Sequence, residues 1–495
     1  MSNKIEKWLE STLNIISETS SLQSCKAVGI PFVEDRDIVI SKEKNQFNFS
    51  FLSPLVEHQV INQARTSNLD QFNIITANKS YTIPKGSLIT SYRDFFDEKQ
   101  GFGCVISSQW LHTEGFNIRE SYYFRYVVPI GEHTINFRDY ALYTYDCYFK
   151  GRKGWYSDLI KIFLNEAEYH FWGFKEGNDS YLIVDSLVPC MLEAIDKIAL
   201  SIFVSHGFLC SSIYLNEAYI IYSKETDFKS PEGVYYKALR DSIKGQYTIF
   251  TTNAYSVLVS IGKNKDSIHG ESEAIKKIEE EEWVDKLKFL KEETFSKLVN
   301  IIHNNDSVLR AAMTIVEASK FAIDTQLAMY CVAFETLSKQ IMKIHQIKPP
   351  SVIDRDIWKN QIRPLFLNTV ENIKKDKQIE LSEDQFVLLD KKINSFNNPT
   401  NKDTLKLPFE KLGYNLSEEE LICIDYRNLS LHGTLPINKG EDEIDKLFYV
   451  NLMMHKLCSI LILKLVEFEG YIINNVKLHE KNINRTIEEE GFLKI

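Results

Sequence analysis

The chain has 495 residues, 44% hydrophobic, 25% charged and 12% aromatic, which is length for about two to four domains, each with its own core. A charged fraction near the globular average with this many aromatics excludes wholesale disorder. Its 58 Lys+Arg against 68 Asp+Glu give a net charge of −10. That excludes coating of nucleic acid or anionic membrane by bulk charge, so any such contact has to come from a local patch.

The first residues, MSNKIEKWLESTLNIISE, set Glu6 and Glu10 among apolar positions and read as an amphipathic helix rather than a signal peptide. From there to about residue 262 the texture is aromatic, β-branched and alternating. Phe47, Phe49 and Phe51 alternate with polar residues in QFNFSFL. Further strand candidates are FNIITAN, SLITSY, GCVISSQW, SYYFRYVVPI, YALYTYDCYF, EYHFWGF, SYLIV, AYIIYS and QYTIFTT, separated by Gly, Asn and Asp turns. The apolar segment 187–203 fits a helix packed on this sheet system. Eight cysteines lie far apart without C-x-x-C spacing, as buried free thiols of a reducing compartment would. The longest apolar runs, 198–204 and 457–463, fall well short of the ~20 residues that span a bilayer. A cytoplasmic protein without membrane contact is expected.

Residues 262–272, GKNKDSIHGES, carry two glycines and no apolar period, and read as a linker. Beyond them the period becomes helical. Trp283, Leu287, Leu290, Leu298 and Ile302 fall near one face, and the acidic run 279–282 reads as a solvated helix start. Ile323, Leu327, Tyr330, Phe334, Leu337 and Ile341 form an i, i+3, i+4 stripe. Ser382 with Gln385, and Ser417 with Glu420, have the spacing of capping boxes. A last long helix over 441–474, apolar round much of its circumference, should be the most buried. The fold class is therefore multidomain α+β: a strand-rich mixed region 1–262, a linker 263–272 and an all-α region 273–495. Splitting the charges at residue 272 gives 27 − 32 = −5 before it and 31 − 36 = −5 after it, so neither part is basic.

The segment with chemistry in it is SEEELICIDYRNLSLHGTLP, residues 417–436. Ser417 caps a helix, Gly433 and Pro436 mark its end, and Arg427, Asn428 and His432 occupy its last turns. Arg-Asn-Leu-Ser-Leu-His resembles the R-x(4–6)-H signature of HEPN ribonucleases, in which a polar residue commonly follows the arginine. The spacing alone carries no information; Asn directly after Arg, the helix-end placement and the all-α setting carry it. R-N-x-x-x-H-G behind a large mixed region looks like the ApeA-like HEPN group of bacterial anti-phage proteins. The resemblance covers the helical part. It implies an endoribonuclease toxin of abortive-infection defence, cutting RNA such as the tRNA anticodon loop, with no DNA substrate. It also implies a homodimer through the HEPN domain and a phage-derived trigger acting on the N-terminal region.

Cutting RNA without a metal requires a group to move the 2′-hydroxyl proton, a group to protonate the leaving 5′-oxygen and a cation for the charge developing on phosphorus. His432 suits proton transfer, since imidazole titrates near pH 6.5, and the helix C-terminus favours its protonated form. Arg427 suits the phosphate, and Asn428 can bond the phosphate or fix the imidazole. The product would be a 2′,3′-cyclic phosphate. Five residues of ideal helix turn through about 500°, leaving Arg427 and His432 about 140° apart and about 7.5 Å apart along the axis. Pairing of two motifs at a two-fold axis, as the resemblance implies, resolves that separation.

Each feature has a plainer reading. Arg427 could pair with Asp425 or Glu420, with His432 as a polar cap. Glu335 is either an orienting partner for Arg427 or a solvated helix carboxylate. His455 reads as a core histidine. Lys150, Arg152 and Lys153, in KGRKGWY, could guide single-stranded RNA by charge and stacking or could form a hairpin turn. No H-E-x-x-H, Walker loop, G-x-S-x-G or carboxylate cluster with metal spacing appears, so neither metal nor cofactor is expected. The alternative function is a non-catalytic HEPN-like dimerisation or nucleotide-binding module behind a partner-recognition region.

Overall fold

A computed structural model describes residues 4–29, 37–53, 71–77, 79–86, 88–97, 101–133, 137–264, 269–376, 380–431, 442–483 and 485–495. The fold is multidomain α+β, a large mixed sheet region followed by a helical region. It divides into two compact units. The first comprises residues 1–320 with 470–474 and 490–493; the second holds 321–469, 475–489 and the last two residues.

In the first unit the alternating segments become strands. They are β1 (Ile5–Trp8), β2 (Ser24–Val28), β3 (Asp37–Glu43), β4 (Gln46–Ser53), β5 (Phe72–Ile75), β6 (Ser80–Ile83), β7 (Leu88–Asp97) and β8 (Gly101–Ser108). There follow β9 (Trp110–Thr113), β10 (Tyr123–Gly131), β11 (Tyr143–Phe149), β12 (Arg152–Leu164), β13 (Ala167–Glu176), β14 (Asp179–Ser186), β15 (Ser212–Ile213), β16 (Glu217–Ser223) and β17 (Gly233–Ala238). All but β15 join one sheet in the order β1-β11-β12-β13-β14-β10-β16-β17-β9-β6-β5-β2-β3-β4-β8-β7. One buried cluster unites Phe47, Phe49 and Ile74 with Trp172, Tyr219 and Tyr236, sealed by Leu9, Leu13 and Ile16 around helix Glu10–Ser20. The apolar helix runs over Leu192–Cys210, later than the expected 187–203, and is buried without a break over 201–209.

Several expectations are corrected. The N-terminus is not one helix: β1 pairs in parallel with β11 before the helix Glu10–Ser20 begins. A sheet edge that completes a ladder and a buried partner for Lys7 override local helix preference there. Lys7 Nζ lies 2.6 Å from Asp185 Oδ2 and 2.8 Å from His170 Nδ1. Arg125 holds Asp185 through Nε at 2.7 Å and Nη2 at 3.1 Å, and Trp172 Nε1 donates to it at 3.1 Å. QYTIFTT forms no strand; Ile249 and Phe250 both donate to the carbonyl of Leu209, and Ile249 accepts from Ile473. The expected linker is flanked by helices Ala254–Asn264 and Gly270–Glu280, with 265–268 outside the described residues. Its glycines are packing residues: a Cβ on Gly262 would sit 2.3 Å from the Gly270 carbonyl oxygen. The units part at Lys320/Phe321 rather than at 263–272. The acidic run 279–282 closes one helix instead of opening one, and Trp283–Lys286 is a separate short helix.

In the second unit the helical period holds. Helix Ile323–Ile344 buries Leu327, Tyr330, Phe334, Leu337 and Ile341, as the stripe predicts. The last long helix spans Asp442–Leu465, shorter than expected, because residues 471–473 form a strand. Its stretch Ile444–Leu465 is long and apolar enough to cross a membrane by length and composition, and 89% of its most apolar 18 residues are buried in the protein. The capping box at Ser382 forms in full. The side chains of seven of the eight cysteines are described, and these seven are free thiols.

Among the described residues Asp185 is the one buried carboxylate facing both Lys7 and Arg125. Asp185→Asn should therefore cost about 3–5 kcal/mol, because it leaves buried cations uncompensated. Urea unfolding followed by tryptophan fluorescence checks this; an unchanged midpoint would show that the network is not needed.

Candidate active site

The motif helix spans Glu418–Leu431. Its start is held by the predicted box: Ser417 Oγ accepts from the Glu420 amide at 3.2 Å, and Glu420 Oε2 accepts from the Ser417 amide at 2.9 Å. Glu420, Cys423, Ile424 and Arg427 are buried, an i, i+3, i+4, i+7 stripe whose two ends are charged.

The first of these ends is neutralised by Lys456 of the long helix. Its ammonium is 3.0 Å from Glu420 Oε1, both side chains 2% exposed, and 3.1 Å from Glu489. Tyr414 donates to Glu420 at 2.8 Å. Glu419, one residue earlier, accepts from Tyr449 at 2.7 Å and pairs with Arg485.

The second end is Arg427, 9% exposed, in an ion pair with Glu335 of helix Ile323–Ile344. Asp425 and Glu420 are not its partners: Asp425 pairs with Lys402 and Glu420 with Lys456. Glu335 also faces Lys339 at 3.3 Å, so one carboxylate stands between a buried and an exposed cation. Burial pulls the Arg427 guanidinium below its ordinary value, against a smaller opposing pull from Cys331. Cys331, one helical turn before Glu335, is pushed up to about 12 by burial and stays a neutral thiol. Its place beside Arg427 carries no sequence signal beyond the i, i+4 spacing from Glu335.

The structure thus brings Arg427 and Glu335 together. Asn428 belongs to the same helix, its side chain outside the described residues, and His432 lies outside them altogether. Lys150, Arg152 and Lys153 belong to the first unit, around the β11–β12 turn, where Lys150 and Gly151 take positive φ. Lys150 pairs with Glu176, and Lys153 lies 2.8 Å from Asp146. KGRKGWY is therefore a hairpin turn, with two of its three cations held in ion pairs. Among the described residues no group of three or more His, Cys, Asp or Glu side chains is placed to hold a metal ion. His455 is a core residue, its ring 5.7 Å from that of Tyr330.

Burial pushes His455 down to about 3, so it folds as neutral imidazole. A histidine whose folded pKa lies below its unfolded value contributes its stability above about pH 6.5 and loses it as pH falls towards 3. His455→Leu, of similar volume, should flatten the acid loss of stability in that window. Thermal unfolding at steps from pH 7 to pH 4 checks it; an unchanged pH slope would show that His455 does not titrate on unfolding.

The chain matches no protein-family model, no curated protein and no solved structure.

Proposed function

We propose that the chain is a metal-independent endoribonuclease of HEPN type. The observation that carries the reading is the placement of Arg427. A guanidinium ends the buried stripe of a capped helix in an all-α unit, is aimed by Glu335, and is followed by Asn428, with His432 five positions on. In this role Arg427 neutralises the phosphate, His432 moves the 2′-hydroxyl and leaving-group protons, and Asn428 bonds one or the other. Glu335 is a positioning residue: it fixes the guanidinium plane without touching the reacting atoms. Two copies of the motif in a homodimer supply the second acid–base group that one chain lacks. By the same resemblance the enzyme is cytoplasmic and ApeA-like. It would cut host RNA, the tRNA anticodon loop being a target with unpaired bases, once a phage-derived trigger acts on the N-terminal unit.

One observation favours a second reading, a non-catalytic module. Arg427 is nearly buried and already ion-paired, as a residue that only pins two helices together would be.

The two readings separate on total RNA incubated with purified protein in EDTA. The ribonuclease reading expects cleavage to 2′,3′-cyclic ends, reduced about 100-fold or more in Arg427→Ala and in His432→Ala. In the module reading, wild type and both variants leave RNA equally intact, and Arg427→Ala lowers the melting temperature instead.

A further inference from the structure

Between helix Ile323–Ile344 and the motif helix, the second unit carries a hairpin of two 13-residue helices, Arg363–Lys375 and Glu383–Ser395. Its base is closed by Asn397, which accepts from the Ile353 amide at 2.6 Å and donates to the Ile353 carbonyl at 2.9 Å. The two helices pack on each other, with Lys374 5.3 Å from the Phe386 ring and the Phe366 ring 5.7 Å from that of Phe396. Among the described residues, Arg363–Lys375 buries no side chain and Glu383–Ser395 only Phe386. Helices of this length are marginal in water unless an apolar face is packed, and this hairpin supplies a single thin layer.

The second helix also has a face directed away from the first. Asp384, Val387, Leu388 and Lys391 share it, at i, i+3, i+4 and i+7, on the side opposite Phe386, Leu389 and Ile393. Val387 is 48% and Leu388 55% exposed. Glu383 is taken by Lys374 at 3.0 Å, whereas Asp384 and Lys391 are exposed and make no ion pair among the described residues. The order along the face is acid, apolar pair, base. It is antisymmetric in charge about the midpoint between Val387 and Leu388: Asp384 and Lys391 lie equally far from it, about 5 Å along the axis on either side.

We propose that a second copy of this chain covers the face, the two Glu383–Ser395 helices packing antiparallel about a two-fold axis through that midpoint. The axis sets Val387 of each copy against Leu388 of the other, and Asp384 of each against Lys391 of the other. Parallel pairing would instead oppose Asp384 to Asp384 and Lys391 to Lys391, at a cost in repulsion. The charge order also selects the occupant. A partner of other sequence would need the same order by coincidence, whereas a copy has it by identity. A helix of 13 residues is about 20 Å long. One pair of them buries less than the ~1,200 Å² of a standard stable interface, so association is micromolar or weaker. The contact uses no residue of the Arg427 motif and stands whether or not the chain cuts RNA. Beside a motif pairing it is a second two-fold contact, which joins dimers into tetramers or chains.

The test is sedimentation equilibrium of the full chain from about 5 to about 200 µM, over which the wild-type mass should rise. Lys391→Glu and Asp384→Lys each place like charges at both ends of the contact, and each should raise its dissociation constant about tenfold or more. The double variant should return to within about threefold of wild type. So should an equimolar mixture of the two single variants, in which every opposed pair is again of unlike charge. Val387→Cys, next to the axis, should form an intermolecular disulfide under mild oxidation, whereas Glu371→Cys, exposed on the other helix, should not. A wild-type mass that does not change with concentration would overturn the contact. Single variants that associate like wild type would overturn it too, and would assign the rise in mass to the motif pairing or another face. Weakening by the single variants without recovery in the mixture would likewise overturn it, as the mark of a different partner surface.

Discussion

A single ammonium group orders the helical unit. Lys456 is buried in the longest helix between Glu420 and Glu489, and a charge taken out of water survives only with its partners in place. Glu420 has all its bonds satisfied: the ammonium, the Tyr414 hydroxyl and the Ser417 amide converge on its two oxygens. The start of the motif helix therefore has one position and one rotation. Two turns later that rotation carries Arg427 to Glu335 on helix Ile323–Ile344. Such a cluster adds less stability than apolar packing of the same volume would, but it discriminates sharply against a rotated or slipped helix, in which several charges would lose partners together.

The strand-rich unit uses the same device with the signs reversed. One carboxylate, Asp185, is enclosed by Arg125, Lys7 and the Trp172 indole, and the two cations hold it well below the usual carboxylate range against the cost of its burial. Arg125 also donates to Thr12 at 3.0 Å and lies 4.4 Å from the Phe228 ring. Residues from the N-terminal strand, the first helix and three sheet strands thus share one charge centre. β1, four residues long and at the edge of the sheet, docks through Lys7 as well as through its ladder to β11. Its docking also stacks Trp8 on Tyr148, with ring centroids 4.1 Å apart.

Legibility followed the range of the interaction. Period-3.6 burial along Ile323–Ile344, the burial of Phe47 and Phe49 in β4 and the Ser417 box depend on neighbours within a few positions, and sequence reading finds all three. Glu335 could be singled out from the sequence, although its pairing with Arg427 spans 92 positions, because a carboxylate on an apolar-striped helix invites a cation. Lys7 could not. A lysine in IEKW reads as solvated, and only Asp185, 178 positions away, shows otherwise. Gly262 misleads for the opposite reason: the missing side chain that suggests a flexible linker is what lets two helix backbones approach. Trp8 and Tyr148 are unremarkable in sequence and meet only through the parallel β1–β11 ladder.

The acidic balance and the proposed chemistry are compatible because Arg427 is not a free charge. In the ribonuclease reading, an RNA phosphate has to take the guanidinium from Glu335, trading one charge-assisted contact for another, so the net gain per phosphate is small. Glu335 does not lose all its compensation in that exchange, since Lys339 stays one helical turn away on the exposed side. Phosphates held at random along a strand cannot recover the cost of opening the pair, whereas a phosphate delivered by bases already bound elsewhere can, through effective concentration. In that reading selectivity arises from the weakness of each contact: an acidic chain whose motif arginine is masked would turn over only RNA that is held at more than one point.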